Sequence, residues 1–145
     1  MADRFLVDTS VFTRWFLRQD GFAEALTFRS AYLAGAADLE TVDFVRFELG
    51  HVLRTHGLLK GHLDEDEYVA AVRSIDDAGI PVHVTSADVL EQAADLAARR
   101  MLRYFDALLI AWSLELGMTV LTADKKLCHA VAGIARTRLV TSALV

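Results

Sequence analysis

Four acidic residues, far apart in the chain, stand where a carboxylate could meet a divalent cation: Asp8, Glu48, Asp106 and Asp124. Asp8 closes the run RFLV and is followed by two hydroxyl residues, Thr9 and Ser10. Asp124 comes two residues after the run MTVLT, which ends in Thr122. Glu48 falls in the row Phe44, Glu48, Val52 of an amphipathic helix, beside Val45, Leu49 and Leu53, so its carboxylate projects within the apolar sector. A carboxylate there is costly unless it is paired or metal-bound. Each aspartate alone also fits an ordinary structural role: Asp8 and Asp124 as helix caps, Asp106 as an acid complementing a helix dipole.

Separate carboxylates with no accompanying Cys or His set make an oxygen-only site. Hard Mg²⁺ or Mn²⁺ prefers such ligands, keeps several waters and binds phosphates. Ser10 and Thr122 are placed to hydrogen-bond the carboxylates and hold them in position. The chemistry implied is metal-assisted attack of water on a phosphodiester. Other mechanisms lack their parts. Ser10 has no obvious histidine base, and no Gly-rich phosphate loop occurs. Of the five histidines, only His51, one turn after Glu48, approaches the acids in sequence, and none has metal-ligand spacing. The single cysteine, Cys128, excludes an internal disulfide and reads as a small apolar helix residue.

The elements that must position these acids alternate. Strands are expected at 4–8, 38–42, 81–85, 118–122 and 138–141. Helices are expected at 9–18, 22–34, 43–55 capped by Asp43, 64–78, 87–101, 104–116 and 125–132. Gly57, Gly79 and Gly117 mark helix ends, and Thr85 begins TSAD, close to a capping box. Alternation of this kind predicts a parallel sheet covered by helices on both faces. Ligands of such sheets bind beyond the carboxyl ends of the strands, which is where Asp8 and Asp124 stand. Asp88, in VTSADV, looks much like Asp124 in VLTADKK. Its strand carries Pro81 and His83 and suits a sheet edge, so Asp88 is assigned to helix capping.

At 145 residues and 54% hydrophobic, with no composition break, the chain is expected to be a single domain over 1–145. No apolar run approaches the roughly 20 residues of a membrane span, and the start lacks the basic and apolar regions of a secretory signal. A soluble, cytoplasmic protein is therefore expected. The formal net charge of −5 argues against nucleic acid only if the carboxylates are solvated. Two divalent cations among four of them would bring it to about −1.

The segments LVDTSVF, FELGHVLR and YFDALLIAWSLELGMTVLTADKKL, in this order and spacing, resemble PIN-domain nucleases, in particular the VapC-like toxins of toxin–antitoxin modules. The resemblance implies a three-layer α/β/α fold with a central parallel sheet of strand order 3-2-1-4-5. It implies that Asp8, Glu48, Asp106 and Asp124 hold Mg²⁺ or Mn²⁺, with Ser10 and Thr122 as supporting hydroxyls. The activity implied is endoribonuclease cleavage leaving a 5′-phosphate and a 3′-hydroxyl. Arg99, Arg100 and Arg103 lead into Asp106, and Lys125 and Lys126 follow Asp124, where they could position RNA. Many relatives carry a polar residue two or three positions after the glutamate, where this chain has Gly50 and His51. The resemblance also implies a homodimer and a cognate antitoxin that lies along the first helices, near Phe12, Trp15, Phe16, Phe22 and Phe28, and supplies a basic group to the acidic pocket.

Three alternatives carry over from the residues themselves. One is a PIN-type RNA-processing nuclease without an antitoxin. A second is a receiver-like phosphoacceptor domain, although receivers need an adjacent acidic pair after the first strand, where Thr9 follows Asp8. A third is a metal-free binding module on the same fold.

Overall fold

Leu6 and Val7 have no exposed surface, as expected of a strand with neighbours on both sides, and β1 (Asp3–Val7) lies at the middle of the sheet. The computed structural model describes residues 3–141. β2 (Ala37–Val42), β3 (Val82–His83), β4 (Thr119–Thr122) and β5 (Thr137–Leu139) join β1 in the order β3-β2-β1-β4-β5, all pairs parallel. This is the expected order 3-2-1-4-5, with β3 at one edge and shortened from the expected 81–85 to the two residues after Pro81. The α/β fold is PIN-like, its sheet flanked by helices.

Register brings the site together. Val7 pairs with Leu121, and the Asp8 amide donates to the Leu121 carbonyl at 2.9 Å. Asp8 and Thr122 are therefore level, one step beyond the last pair and on the same face of the sheet.

Helices α1 (Thr9–Thr13) and α2 (Phe22–Leu33) follow β1, and α3 (Asp43–Leu53) follows β2. The helix expected over 9–18 stops at Thr13 for a local reason. The Ser10 carbonyl accepts from Thr13 Oγ1 at 3.0 Å and from Arg14 Nη1 at 2.7 Å, while the Arg14 amide turns to Val11 instead. Side chains have taken the acceptor that the next helical bond would use.

α3 leads into a π-helical turn, Arg54–Leu58. Gly57 packs closely there: a Cβ would meet Leu63 Cδ1 at 2.8 Å and would require that side chain to shift. The helix expected over 64–78 is two, α4 (Glu65–Val72) and α5 (Ser74–Asp77), separated at Arg73, whose φ of −84° and ψ of −6° leave the helical well. Asp64 and Glu67 complete a capping box on α4.

α6 (Ala87–Arg100), α7 (Tyr104–Leu116) and α8 (Lys125–Ala130) complete the described helices. α7 is buried continuously from Ala107 to Ser113, so its sequence shows no amphipathic stripe.

Asp43 satisfies a first-turn amide of α3, its Oδ1 accepting from Phe44 at 2.9 Å, and it also joins α3 to the end of β3, accepting from the Thr85 amide at 2.9 Å and the Thr85 hydroxyl at 2.6 Å. One expected cap is corrected. α6 is capped by Ser86, which accepts from the Val89 amide, and not by Thr85 or Asp88. His83, isolated in sequence, meets Glu40 Oε1 at 2.8 Å, and Arg4 donates to the other Glu40 oxygen at 2.9 Å, stitching three strands together. Among the described residues no helix is long and apolar enough to cross a membrane.

Candidate active site

Asp8 occupies the N-cap position of α1 with extended backbone, yet its side chain makes no cap bond. One carboxylate oxygen, Oδ2, accepts from Ser10 Oγ at 2.8 Å and from Thr122 Oγ1 at 2.7 Å. The hydroxyls are themselves oriented by backbone: the Ala123 amide donates to Ser10 Oγ at 2.9 Å and the Asp124 amide to Thr122 Oγ1 at 3.0 Å. Each hydroxyl thus receives one hydrogen and sends its own to Asp8. Oδ1 of Asp8 is left uncommitted by these bonds.

Glu48 comes from α3 and is partly buried; its Oε1 accepts from Thr9 Oγ1 at 3.0 Å. Thr9 was expected only to start the first helix, so its hold on Glu48 is an addition that a sequence pattern cannot register across 39 positions. Asp106 lies in the first turn of α7, partly buried. Asp124 is the N-cap of α8: its Oδ1 accepts from the Lys126 and Leu127 amides, so the structural reading of this residue holds, while Oδ2 stays open.

Asp8 lies within Coulombic range of the other three acids, and Asp106 also within range of Glu48 and Asp124. Burial raises the Asp8 carboxyl above the ordinary range, against the two hydroxyl donors, and the Asp124 charge adds to the rise. Burial also raises Glu48, helped by Asp8 and Asp106 and opposed by Thr9. Asp106 is raised by burial and then by Asp8 and Asp124, with Arg103 working the other way. Arg103 and Arg14 offset only part of this, and the carboxyls of Asp8, Glu48 and Asp106 stay raised. Among the described residues, no three carboxylate, imidazole or thiol groups are close enough to enclose an ion directly.

A cleft of about 180 Å³ opens beside Asp106 and Asp124, and Arg103 and Lys126 line it. The other basic candidates are further from it in role. Arg99 pairs with Asp95 one turn earlier on α6, and Arg100 and Lys125 are exposed. His51 is exposed too. Arg14 was missed by sequence reasoning. It is partly buried, its Nε donates to the Asp20 carbonyl at 2.6 Å and its Nη1 to that of Ser10, and it feels the charges of Asp20, Asp8 and Asp124; burial nonetheless lowers its pKa. Its position four residues after Ser10 was the available signal.

Of the aromatic residues expected to face a partner, Phe12 and Trp15 belong to the core. Phe16, Phe22 and Phe28 are only partly buried. Trp15 and Phe16 border a groove of about 600 Å³ that continues past Arg29, Leu33 and Ser74, and Ser74 Oγ is buried without a hydrogen-bond partner.

A parallel sheet of order 3-2-1-4-5 with acids gathered at its carboxyl edge is distinct from the receiver topology, whose order is 2-1-3-4-5; the phosphoacceptor alternative fails on that ground. The chain belongs to the PIN domain family, a family of nucleases, whose model matches residues 5–133. No curated protein sequence matches it. Among solved structures, it is similar to PAE2754 from Pyrobaculum aerophilum, with 17% identity over 94% of this chain and 83% of that one and a TM-score of 0.69. It is also similar to VapC20 of Mycobacterium tuberculosis, described as a sarcin-ricin loop cleaving toxin, at 22% identity, 88% and 95% coverage and a TM-score of 0.66. A third similar structure is that of FitAB bound to a DNA fragment, at 19% identity, 93% and 94% coverage and a TM-score of 0.66.

Proposed function

We propose that this chain is a Mg²⁺- or Mn²⁺-dependent endoribonuclease acting as the toxin of a toxin–antitoxin pair. The observation that carries the reading is the arrangement around Asp8, whose two hydroxyl donors fix one oxygen and leave the other uncommitted, within Coulombic range of three further unpaired acids. An oxygen-only set of this kind fits Mg²⁺. Mg²⁺ keeps several of its own waters, so it needs direct ligation from only one or two of these carboxylates. Asp8 Oδ1, Glu48 Oε2, Asp106 and Asp124 Oδ2 are the oxygens available to hold it. When bound, the metal supplies activation of water and neutralisation of charge at the phosphate.

The chain's own groups do the rest. Ser10, Thr122 and Thr9 keep two of the carboxylates in single orientations. Arg103 and Lys126, beside the cleft, bind the phosphate and offset the acids that would otherwise repel it. Water attack on phosphorus then leaves a 5′-phosphate and a 3′-hydroxyl.

The description of VapC20 makes structured ribosomal RNA the first substrate to try. With purified protein, new 5′-phosphate ends are expected in the presence of Mg²⁺ or Mn²⁺ and none in EDTA. Cleavage indifferent to EDTA would sink the metal reading. Thr122→Val keeps the shape of a fully buried side chain but removes a donor from Asp8. It is expected to weaken Mn²⁺ binding by about 10–100-fold, read by calorimetry; an unchanged affinity would remove Asp8 from the metal site.

Partner expectations have their own support. The groove beside Phe16, with Ser74 Oγ unsatisfied in its wall, suits an amphipathic antitoxin segment carrying a hydrogen-bond donor or acceptor. Phe47, Tyr104 and Phe105 are exposed hydrophobics, and Phe105 packs on Phe44 at 5.9 Å, which supports a homodimer contact close to the acids.

A further inference from the structure

A second cleft, of about 500 Å³, separates the turn after α1 from the π-helical turn, and its chemistry is opposite to that of the acidic site. Arg18 and Gln19 line one wall and His56, Lys60 and His62 the other, with Phe16 alongside. No carboxylate among the described residues lines it. Among the described residues neither Arg18 nor Lys60 is in an ion pair; Arg18 instead lies 5.7 Å from the centre of the Phe22 ring. The two walls are held together at Gly57, which lets the π-helical turn close on Leu63 and Leu17.

The cleft is also tied to the acids. Arg14 donates to the Ser10 carbonyl at one end and to the Asp20 carbonyl at the other. It therefore spans from the residue that holds Asp8 to the turn that carries Arg18 and Gln19. Because one guanidinium bonds both carbonyls, the turn carrying Arg18 and Gln19 folds back toward Ser10.

We propose that this cleft docks the backbone of the RNA substrate, taking phosphates on Arg18 and Lys60 and a base against Phe16 and the imidazoles. With a formal charge of −5 and a negative catalytic centre, the chain needs cations beyond Arg103 and Lys126 to hold a strand of RNA, and Arg18 and Lys60 supply them. Aromatic and imidazole faces beside the cations favour nucleotides over an acidic peptide, because they offer stacking as well as charge. The ligand's identity rests on the nuclease reading; the charge and shape of the cleft do not.

The test uses full-length Asp8→Asn protein in EDTA with a fluorescein-labelled, mixed-sequence single-stranded RNA of about 12 nucleotides, followed by anisotropy at several salt concentrations. Adding Arg18→Gln and Lys60→Gln, both on exposed residues, is expected to raise Kd about tenfold and to flatten the slope of log K against log salt by about 1.4, near 0.7 per lost contact. Lys60→Gln alone should give about half that change in slope. Unchanged affinity and slope in variants with wild-type melting curves would overturn the proposal. So would equal binding of a labelled oligoglutamate peptide through the same two residues, which would make the occupant an acidic protein segment. Cleavage by the wild-type chain is scored separately. Cleavage with no effect of the double variant on RNA binding defeats the cleft and keeps the nuclease. RNA binding lost in the double variant, with no cleavage by the wild type, does the reverse.

Discussion

Asp8→Asn is expected to lower the rate of RNA cleavage by about 10³-fold or more, about 4 kcal/mol of transition-state stabilisation, without unfolding the protein. Both donors to Asp8 converge on a single oxygen, Oδ2, from Ser10 at 2.8 Å and Thr122 at 2.7 Å. An asparagine can present its amide oxygen to both and place its NH₂ where Oδ1 stood. The substitution thus keeps the network and the shape while replacing a metal-facing, charged oxygen with a donor that cannot ligate a cation. Asp88→Asn is the matched control, because Asp88 follows a strand in a near-identical sequence context but is exposed on α6, away from the acids; a rate within about twofold of wild type is expected there. Single-turnover cleavage followed by mapping of new 5′ ends gives both numbers. Activity of Asp8→Asn within tenfold of wild type would remove this carboxylate from the reaction.

The contrast between Asp8, Asp88 and Asp124 also shows what was legible in the sequence. Strand order was implied by the family resemblance; the residues themselves marked only one edge, through Pro81 and His83. Once the order was set, Asp8 and Asp124 had to fall at the carboxyl edge. The part each side chain plays there was not legible, because a helix cap and a metal ligand ask for the same residue at the same place. Asp124 caps α8 with one oxygen and keeps the other free, while Asp8 stands at a cap position and caps nothing. That difference is decided by Thr122, 114 positions away. Thr9 on Glu48 and Thr85 on Asp43 are likewise long-range bonds with no local pattern. Arg14 is a different kind of miss. Its bond to the Ser10 carbonyl is local, and it also explains why the first helix ends five residues earlier than its apolar spacing predicts.

Burial of the acids, with their mutual repulsion added to it, has a measurable consequence in the protein without metal. A carboxyl whose pKa is raised by folding binds its proton more tightly in the folded state than in the unfolded one. The stability it contributes is fully present below the unfolded value, near 4, and is lost as pH rises through the raised folded value. Asp8, Glu48 and Asp106 are all raised. In EDTA the melting temperature is therefore expected to climb as pH is lowered from about 7.5 toward about 5. Glu40 and Asp43 act with the opposite sign. Burial works against their charge, but the donors Arg4 and His83 on Glu40 and Thr85 on Asp43 bring both below the ordinary range. Their contribution is present above the unfolded pKa and lost only as pH falls through the lowered folded values, so the maximum lies between the two sets. At neutral pH, Asp8→Asn should raise the metal-free melting temperature by about 2–4 °C for each kcal/mol of repulsion removed. Saturating Mg²⁺ should reverse the order, since ligand binding stabilises the wild type by a logarithmic amount that the variant largely forfeits. A metal-free Asp8→Asn protein that melts well below wild type would mean that Asp8 serves the fold through its charge, and the clustering of unpaired acids would have to be abandoned as the basis of the site.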